Sequence, residues 1–198
     1  MTSAPTRRRL SADGRRTEIA LAARELFADR GFHATTTRDI ARAAGISDAL
    51  LYRHFADKQA VLDRVVDDAI AVFTDLPPLD RLASANTVEL LTLLGRGFLG
   101  RVEANLDLIR LLVAGAAATP SGPDLRFARF VDGAATALGA ELARRGSAPD
   151  PAAGYLAARS FFGALLSFVL LQRTLGLDDV RALDGDAYLG ALVGRFAE

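Results

Sequence analysis

The chemistry-bearing residues of this sequence crowd into one short stretch. Between Thr36 and Lys58 stand the hydroxyls of Thr36, Thr37, Ser47 and Tyr52, the cations Arg38, Arg42, Arg53 and Lys58, and the imidazole of His54. Donors of this kind on short helices suit the oxygens of a phosphate backbone. Competing chemistry is hard to assemble. There is no cysteine, and His33 and His54 are the only histidines. No Ser-His-Asp grouping, paired-carboxylate motif, glycine-rich phosphate loop or metal-ligand spacing stands out elsewhere. The adjacent pairs Asp67-Asp68 and Asp178-Asp179 face different directions on a helix. The sequence therefore predicts no enzyme, no cofactor and no metal site.

The elements that must position these residues are helices, and no alternating strand pattern appears. Ile19, Ala23, Leu26 and Phe27 stripe a first helix over about 13–30, with Gly31 at its end. Thr36 is placed to cap a second helix, with Asp39 three residues on as a capping-box variant. Ile40, Ala41 and Ala44 supply its apolar face, and Gly45 ends it. Ser47 caps a short third helix carrying Leu51, Tyr52 and Phe55. Two short helices joined by a tight glycine turn form a helix-turn-helix, which offers the third helix to a DNA major groove. Asp57 caps a fourth helix with Leu62, Val65, Val66, Ala69, Ile70 and Phe73 on one side, stopped by Pro77-Pro78. Five more helices are expected at about 86–101, 104–117, 123–145, 151–175 and 186–197. The fold class is thus all-α with about nine helices. It divides into a basic arm at 1–13, a helix-turn-helix domain at 14–60 with its linking helix to about 75, and a helical body at 76–198.

In the head, Thr36 caps its helix and can also meet a phosphate, because a helix N-terminus attracts anions. Thr37 and Arg38 lie beside it. Ser47, Asp48, Ala49, Leu50 and Arg53 are the candidate base readers. Asp48 is either a helix-dipole charge or an acceptor for a cytosine amino group, and Ala49 or Leu50 suits a thymine methyl. Arg7, Arg8 and Arg9 form an arm that is either disordered or laid along DNA.

The motif residues are Phe27…Gly31-Phe32, then Thr35-Thr-Thr-Arg-Asp-Ile-Ala-Arg-Ala-Ala-Gly-Ile-Ser47, Leu51-Tyr-Arg-His-Phe55 and Lys58…Leu62. At these residues, over about 14–74, the chain resembles the TetR/AcrR family of bacterial transcriptional regulators. The resemblance implies an N-terminal helix-turn-helix domain and a C-terminal helical ligand-binding and dimerisation domain. It implies phosphate contacts from Tyr52 and Lys58, with His54 beside them. It also implies release from a double-stranded, palindromic operator by a small-molecule effector, most often in a repressor. Asp48, Ala49 and Leu50 depart from the family's commoner residues, so no operator sequence carries over.

The body is rich in aromatics. Phe73, Phe98, Phe127 and Phe162 are candidates to line an effector site, with Arg96 or Arg110 placed to pair with a carboxylate. Residues 160–171 carry no charge and are apolar on nearly every side, which an exposed helix of a monomer would not be. Phe162, Gly163, Leu166, Val169 and Leu170, with Leu189, Leu192 and Phe196 of the last helix, are the expected homodimer interface, an isologous four-helix bundle.

With 198 residues, 51% of them hydrophobic, the chain is long and apolar enough for a substantial core, which excludes global disorder. The formal net charge is zero. Residues 1–58 hold 11 Lys/Arg against 7 Asp/Glu, and residues 59–198 hold 13 against 17. A basic head on an acidic body suits a polyanionic partner. An architectural DNA binder without sequence preference is the alternative, but such proteins usually carry strong net positive charge. The N-terminal stretch lacks an apolar signal core. The apolar run at 160–171 is shorter than the roughly 20 residues a bilayer span needs. A cytoplasmic protein with no membrane partner is expected.

Overall fold

The computed structural model describes residues 11–74, 84–115 and 125–196, with the side chains of 112–115 left out. Residues 1–10 of the basic arm, Pro77-Pro78 and the Pro120–Pro123 turn lie outside the described residues, and α1 already begins within the expected arm. Among the described residues there are ten α-helices and no strand, one helix more than the punctuation predicts.

The first core is built by α1 (Ala12–Ala34), α2 (Thr37–Ala43), α3 (Asp48–His54) and α4 (Lys58–Thr74). Ser11 caps α1 by accepting the Gly14 N–H at 3.0 Å. Gly31, with φ +79°, interrupts the helix where the stripe ends, and its last turn resumes beyond. Ile19, Ala23, Phe27, Ile40, Leu51, Phe55, Val61 and Val65 are at most 2% exposed and form the centre of the head. Asp57 Oδ1 accepts the Ala60 N–H at 2.7 Å and so starts α4.

The second core joins α5 (Thr87–Glu103), α6 (Leu106–Gly115), α7 (Leu125–Arg144), α8 (Pro151–Val169), α9 (Leu177–Val180) and α10 (Gly185–Gly194). A π-helical turn, Leu170–Thr174, continues α8. The short α9 is the helix the sequence reading lacked. Its first turn holds Asp178, which pairs with Arg173. Gly95 of α5 faces Leu189 of α10 so closely that a Cβ would overlap the leucine Cδ1. Close packing therefore accounts for a glycine in mid-helix. Gly139 of α7 and Gly154 of α8 bring two backbones into contact. A Cβ on Gly139 would stand 2.5 Å from the Tyr155 nitrogen, and one on Gly154 would overlap the Gly139 carbonyl.

The two cores are not cleanly divided at residue 75. Leu108 and Leu111 of α6 are buried in the first core, not the second. Arg24 of α1 forks onto the Asp107 carboxylate, with Nη2 2.6 Å from Oδ1, and reaches Asn105 at 3.3 Å. Burial opposes the Asp107 charge, but the Arg24 bonds outweigh it and hold the carboxyl below its usual range.

Length alone is a poor guide to α8. With the π turn, Pro151–Thr174 runs 24 residues, long and apolar enough to cross a membrane by length and composition. The 12-residue run seen in sequence understated it. In this fold the helix instead buries Phe161, Leu165 and Phe168 among α5, α7 and α10.

At the C-terminal end of α7, Glu141 accepts from Arg144 and Arg145, and Arg145 also donates to the Ala85 carbonyl. The Arg144 bond, aided by Arg145, outweighs burial and pulls the Glu141 carboxyl down to about 2. A depressed carboxylate stabilises above its unfolded value and loses that contribution as pH falls toward its folded value. Glu141→Gln is therefore expected to cost about 2 kcal/mol near neutrality. Urea unfolding should show the gap from wild type closing as pH drops from 4.5 toward 2.

Candidate functional site

The helix-turn-helix is assembled by three local devices. Thr36 and Asp39 form a full capping box: the Asp39 N–H donates to Thr36 Oγ1 at 3.1 Å, and the Thr36 N–H returns to Asp39 Oδ2 at 3.2 Å. The hydroxyl of Thr36 also donates to that carboxylate at 2.6 Å, and these bonds hold Asp39 below its ordinary range. Gly45 turns the chain with φ +66°, a conformation that other residues adopt only under strain. Ser47 then starts α3 by accepting the Leu50 N–H at 3.2 Å.

These devices put the predicted contacts on one surface. Tyr52 is 54% exposed, and its hydroxyl lies 3.1 Å from Thr37 Oγ1. That bond joins the start of α2 to the third helix and holds two hydroxyls together at the surface. Arg38 reaches across to Asp48, Nε to Oδ2 at 3.3 Å. Both partners are open to solvent, so the pair contributes little stability and leaves Arg38 available for another anion. Ser47, Ala49 and Arg53 are exposed, and Leu50 and His54 are half-buried.

Lys58, expected at a phosphate, also has partners within the head. Its Nζ donates to the Phe32 carbonyl at 2.7 Å and the Thr35 carbonyl at 2.8 Å, and sits 4.2 Å from the Phe32 ring centre. Two of its three protons are spent on the chain end of α1. Lys58 is thus a lock between α4 and the α1–α2 junction, and Phe32 is the partner that sequence reasoning missed. The signal was present in the Gly31-Phe32 pair, read there only as a motif. Lys58→Ala is expected to lower unfolding stability by about 1–3 kcal/mol, measured by chemical denaturation. Tyr52→Phe should leave stability within about 0.5 kcal/mol.

A cavity lies in the body where α4 ends. Its larger lobe, about 150 Å³, is walled by Phe73, Phe98, Val102, Ile109, Phe127, Phe130, Phe162 and Leu166, among others. A narrower lobe of about 60 Å³ adds Leu94, Arg101 and Ala134. Phe73 and Phe98 stand 6.5 Å apart, and Phe98 and Phe162 5.7 Å. The four predicted phenylalanines converge. The two predicted arginines do not. Arg96 lies outside on the α5–α10 surface, bonded to Asp186 at 2.9 Å, and Arg110 points to solvent. The arginines that line the cavity are Arg101 and Arg159. A helical wheel of α5 gives the reason: Leu94, Phe98 and Arg101 follow at i, i+4 and i+7, whereas Arg96 is on another face.

The expected interface residues also separate. Val169 and Leu189 are fully buried inside the protomer as members of the second core, with Leu189 packed on Gly95 of α5. Phe162 and Leu166 are half-buried on the cavity wall. Leu170, Leu192 and Phe196 are half-buried against the second core, and Gly163 is exposed. Among the residues left outward are Leu156, Arg159, Ser160, Gly163 and Ser167 of α8, Leu171 of the π turn, and Ala187, Gly190, Ala191 and Gly194 of α10.

Comparison with known proteins agrees with this geometry. Residues 19–65 match the family described as bacterial regulatory proteins, tetR family. Over 66 residues the chain is 47% identical to the HTH-type transcriptional repressor KstR2 of Rhodococcus jostii, covering 33% of this chain and 32% of that protein. It thus spans about a third of the length of the curated relatives it matches. Across the whole fold it is similar to the ketosteroid transcriptional regulator KstR2 of Mycobacterium tuberculosis, with a TM-score of 0.65 and 27% identity over 91% of this chain and 94% of that one. It is likewise similar to AibR in complex with isovaleryl coenzyme A and operator DNA, with a TM-score of 0.66 and 26% identity over 91% and 97%.

Proposed function

We propose that this chain, whose residues 19–65 match the bacterial regulatory proteins of the tetR family, is a ligand-responsive transcriptional regulator acting as a repressor. It binds a palindromic double-stranded operator as a homodimer and leaves it when a small, mostly apolar effector occupies the body. DNA as its target places it in the cytoplasm.

The observation that carries this reading is α4. Its first residue, Lys58, anchors the head, and Phe73 near its end walls the cavity. One helix therefore borders both candidate sites. Arg126 of α7 adds a second hold on it, with bonds to Asp63 at 3.0 Å and Asp67 at 2.8 Å. Phe127, the next residue, and Phe130 line the cavity. An effector that spreads these rings moves α4 and changes the separation of the two recognition helices. It must favour the non-binding state, typically by about 1–3 kcal/mol. The solved complex of AibR holds both a coenzyme A ester and operator DNA, which supports a regulator with two such sites.

Within this reading, Tyr52, Thr37 and Arg38 position the backbone while Ser47, Asp48, Ala49, Leu50 and Arg53 read bases. A gel-shift against DNA upstream of the gene and against random DNA tests the proposal. Retention of the upstream fragment alone is expected, weakening as salt rises. Equal binding to both would favour an architectural role, and no binding would overturn the reading.

A further inference from the structure

We propose that Arg159 selects the effector, which is a small apolar body bearing an anionic group. The apolar part sits among Phe73, Phe98 and Phe130, and the anion meets Arg159 at the cavity edge. This inference rests on the cavity being the effector site.

Three observations carry it. The first is composition. The larger lobe is walled by aliphatic and aromatic side chains, and among the described residues Arg159 is its one charged lining residue. Such a wall rejects a strongly polar ligand, and a cavity near 150 Å³ holds roughly one ring or a short acyl chain.

The second is where the arginines are engaged. Arg101, at the narrow lobe, donates to the Gly97 carbonyl at 2.5 Å, so its guanidinium is tied to its own helix. No hydrogen bond or ion pair is recorded for Arg159 among the described residues, and it is exposed. On the adjoining helix α7, the Asp132 carboxylate accepts from the Tyr155 hydroxyl at 2.8 Å. The Asp132 bond, with burial, raises the Tyr155 hydroxyl above its ordinary value, so the tyrosine stays neutral and adds no charge of its own.

The third is geometry. Arg159, Phe162, Gly163 and Leu166 lie on one face of α8 at i, i+3, i+4 and i+7, so the cation and the apolar wall share a rigid element. Gly163 leaves space beside them, since a Cβ there would meet nothing within 4 Å. A guanidinium at the edge of an apolar cavity is suited to carboxylate or phosphate oxygens, which it binds in forked geometry. The anion can belong to the apolar body itself, as a free acid, or to a phosphorylated carrier joined to it as a thioester.

Calorimetry and thermal shift on the full-length protein test this, with hexanoate, benzoate, hexanoyl-coenzyme A, 1-hexanol and benzyl alcohol as probes. At least one anionic probe is expected to bind about tenfold more tightly than the matching alcohol. Preference for hexanoate or benzoate identifies a free acid, and preference for the coenzyme A ester alone identifies the carrier. Arg159→Gln should erase the preference while leaving alcohol binding and the melting temperature unchanged. Arg96→Gln should change neither. Phe130→Trp should weaken acids and alcohols together by filling the cavity. Equal affinity for acid and alcohol, a preference that survives Arg159→Gln, or no binding by any probe would each overturn the proposal. A gel-shift on the same protein keeps the two readings apart: failure to bind upstream DNA counts against the regulator, and not against the ligand class.

Discussion

Gly154→Ala should lower the melting temperature by about 6–12 °C, as measured by differential scanning calorimetry. The cause is the crossing of α7 and α8. The added Cβ would overlap the Gly139 carbonyl oxygen, a backbone atom that no rotamer change can move aside. The helices must separate, and Leu138, Leu142, Ala158 and Phe161 around the crossing lose contact together. Overpacking of this kind costs about 3 kcal/mol or more. Gly133→Ala on α7 is the matched control. Its Cβ would meet nothing within 4 Å, so the gain in helix propensity, about 1 kcal/mol, should stabilise slightly. If both variants melt with wild type, the crossing is looser than the backbone contact requires.

Ser167→Arg should convert the proposed dimer, near twice 21.0 kDa, into a monomer, and light scattering would measure the change. Ser167 is exposed on α8, in line with Ser160, Gly163 and Leu171. Gly190, exposed on α10, has nothing within 4 Å of its Cβ position, so Gly190→Arg gives an independent test from the other helix. Neither position supports the protomer core, whereas Leu166 also walls the cavity and would confound two effects. Operator affinity should fall by about 10²–10⁴-fold, because the second half-site no longer benefits from the first. A monomeric mass for the unaltered chain would remove the basis of the palindrome.

The head was legible because its signals are local. A capping threonine, a glycine at φ +66° and a serine cap each act within three or four residues, and the structure holds all three where the spacing put them. The four phenylalanines of the cavity were legible for a similar reason, as ring-rich stripes on separate helices. What failed was the choice among chemically equal residues. Arg96, Arg101, Arg110 and Arg159 look alike in sequence, and only the rotation of α5 and α8 in the body assigns two to the cavity. Val169 and Leu189 failed likewise. A helix that is apolar on all sides does not announce which side meets its own core. The internal partners of Lys58 were illegible for another reason. They are carbonyl oxygens, which every residue carries and no sequence pattern marks.

The insertion of Leu108 and Leu111 into the first core has a bearing on modularity. A fragment ending near residue 75 would leave the first core without Leu108 and Leu111, and would strand Arg24 without Asp107. Transplanting this head onto a foreign body therefore means transplanting the start of α6 with it. Chimeras joined at the α4 end alone should be loose, whereas those that also carry Asn105 through Leu111 should regain their firmness. The natural cut between head and body in this chain is a surface running through α6, and no single point along the backbone marks it.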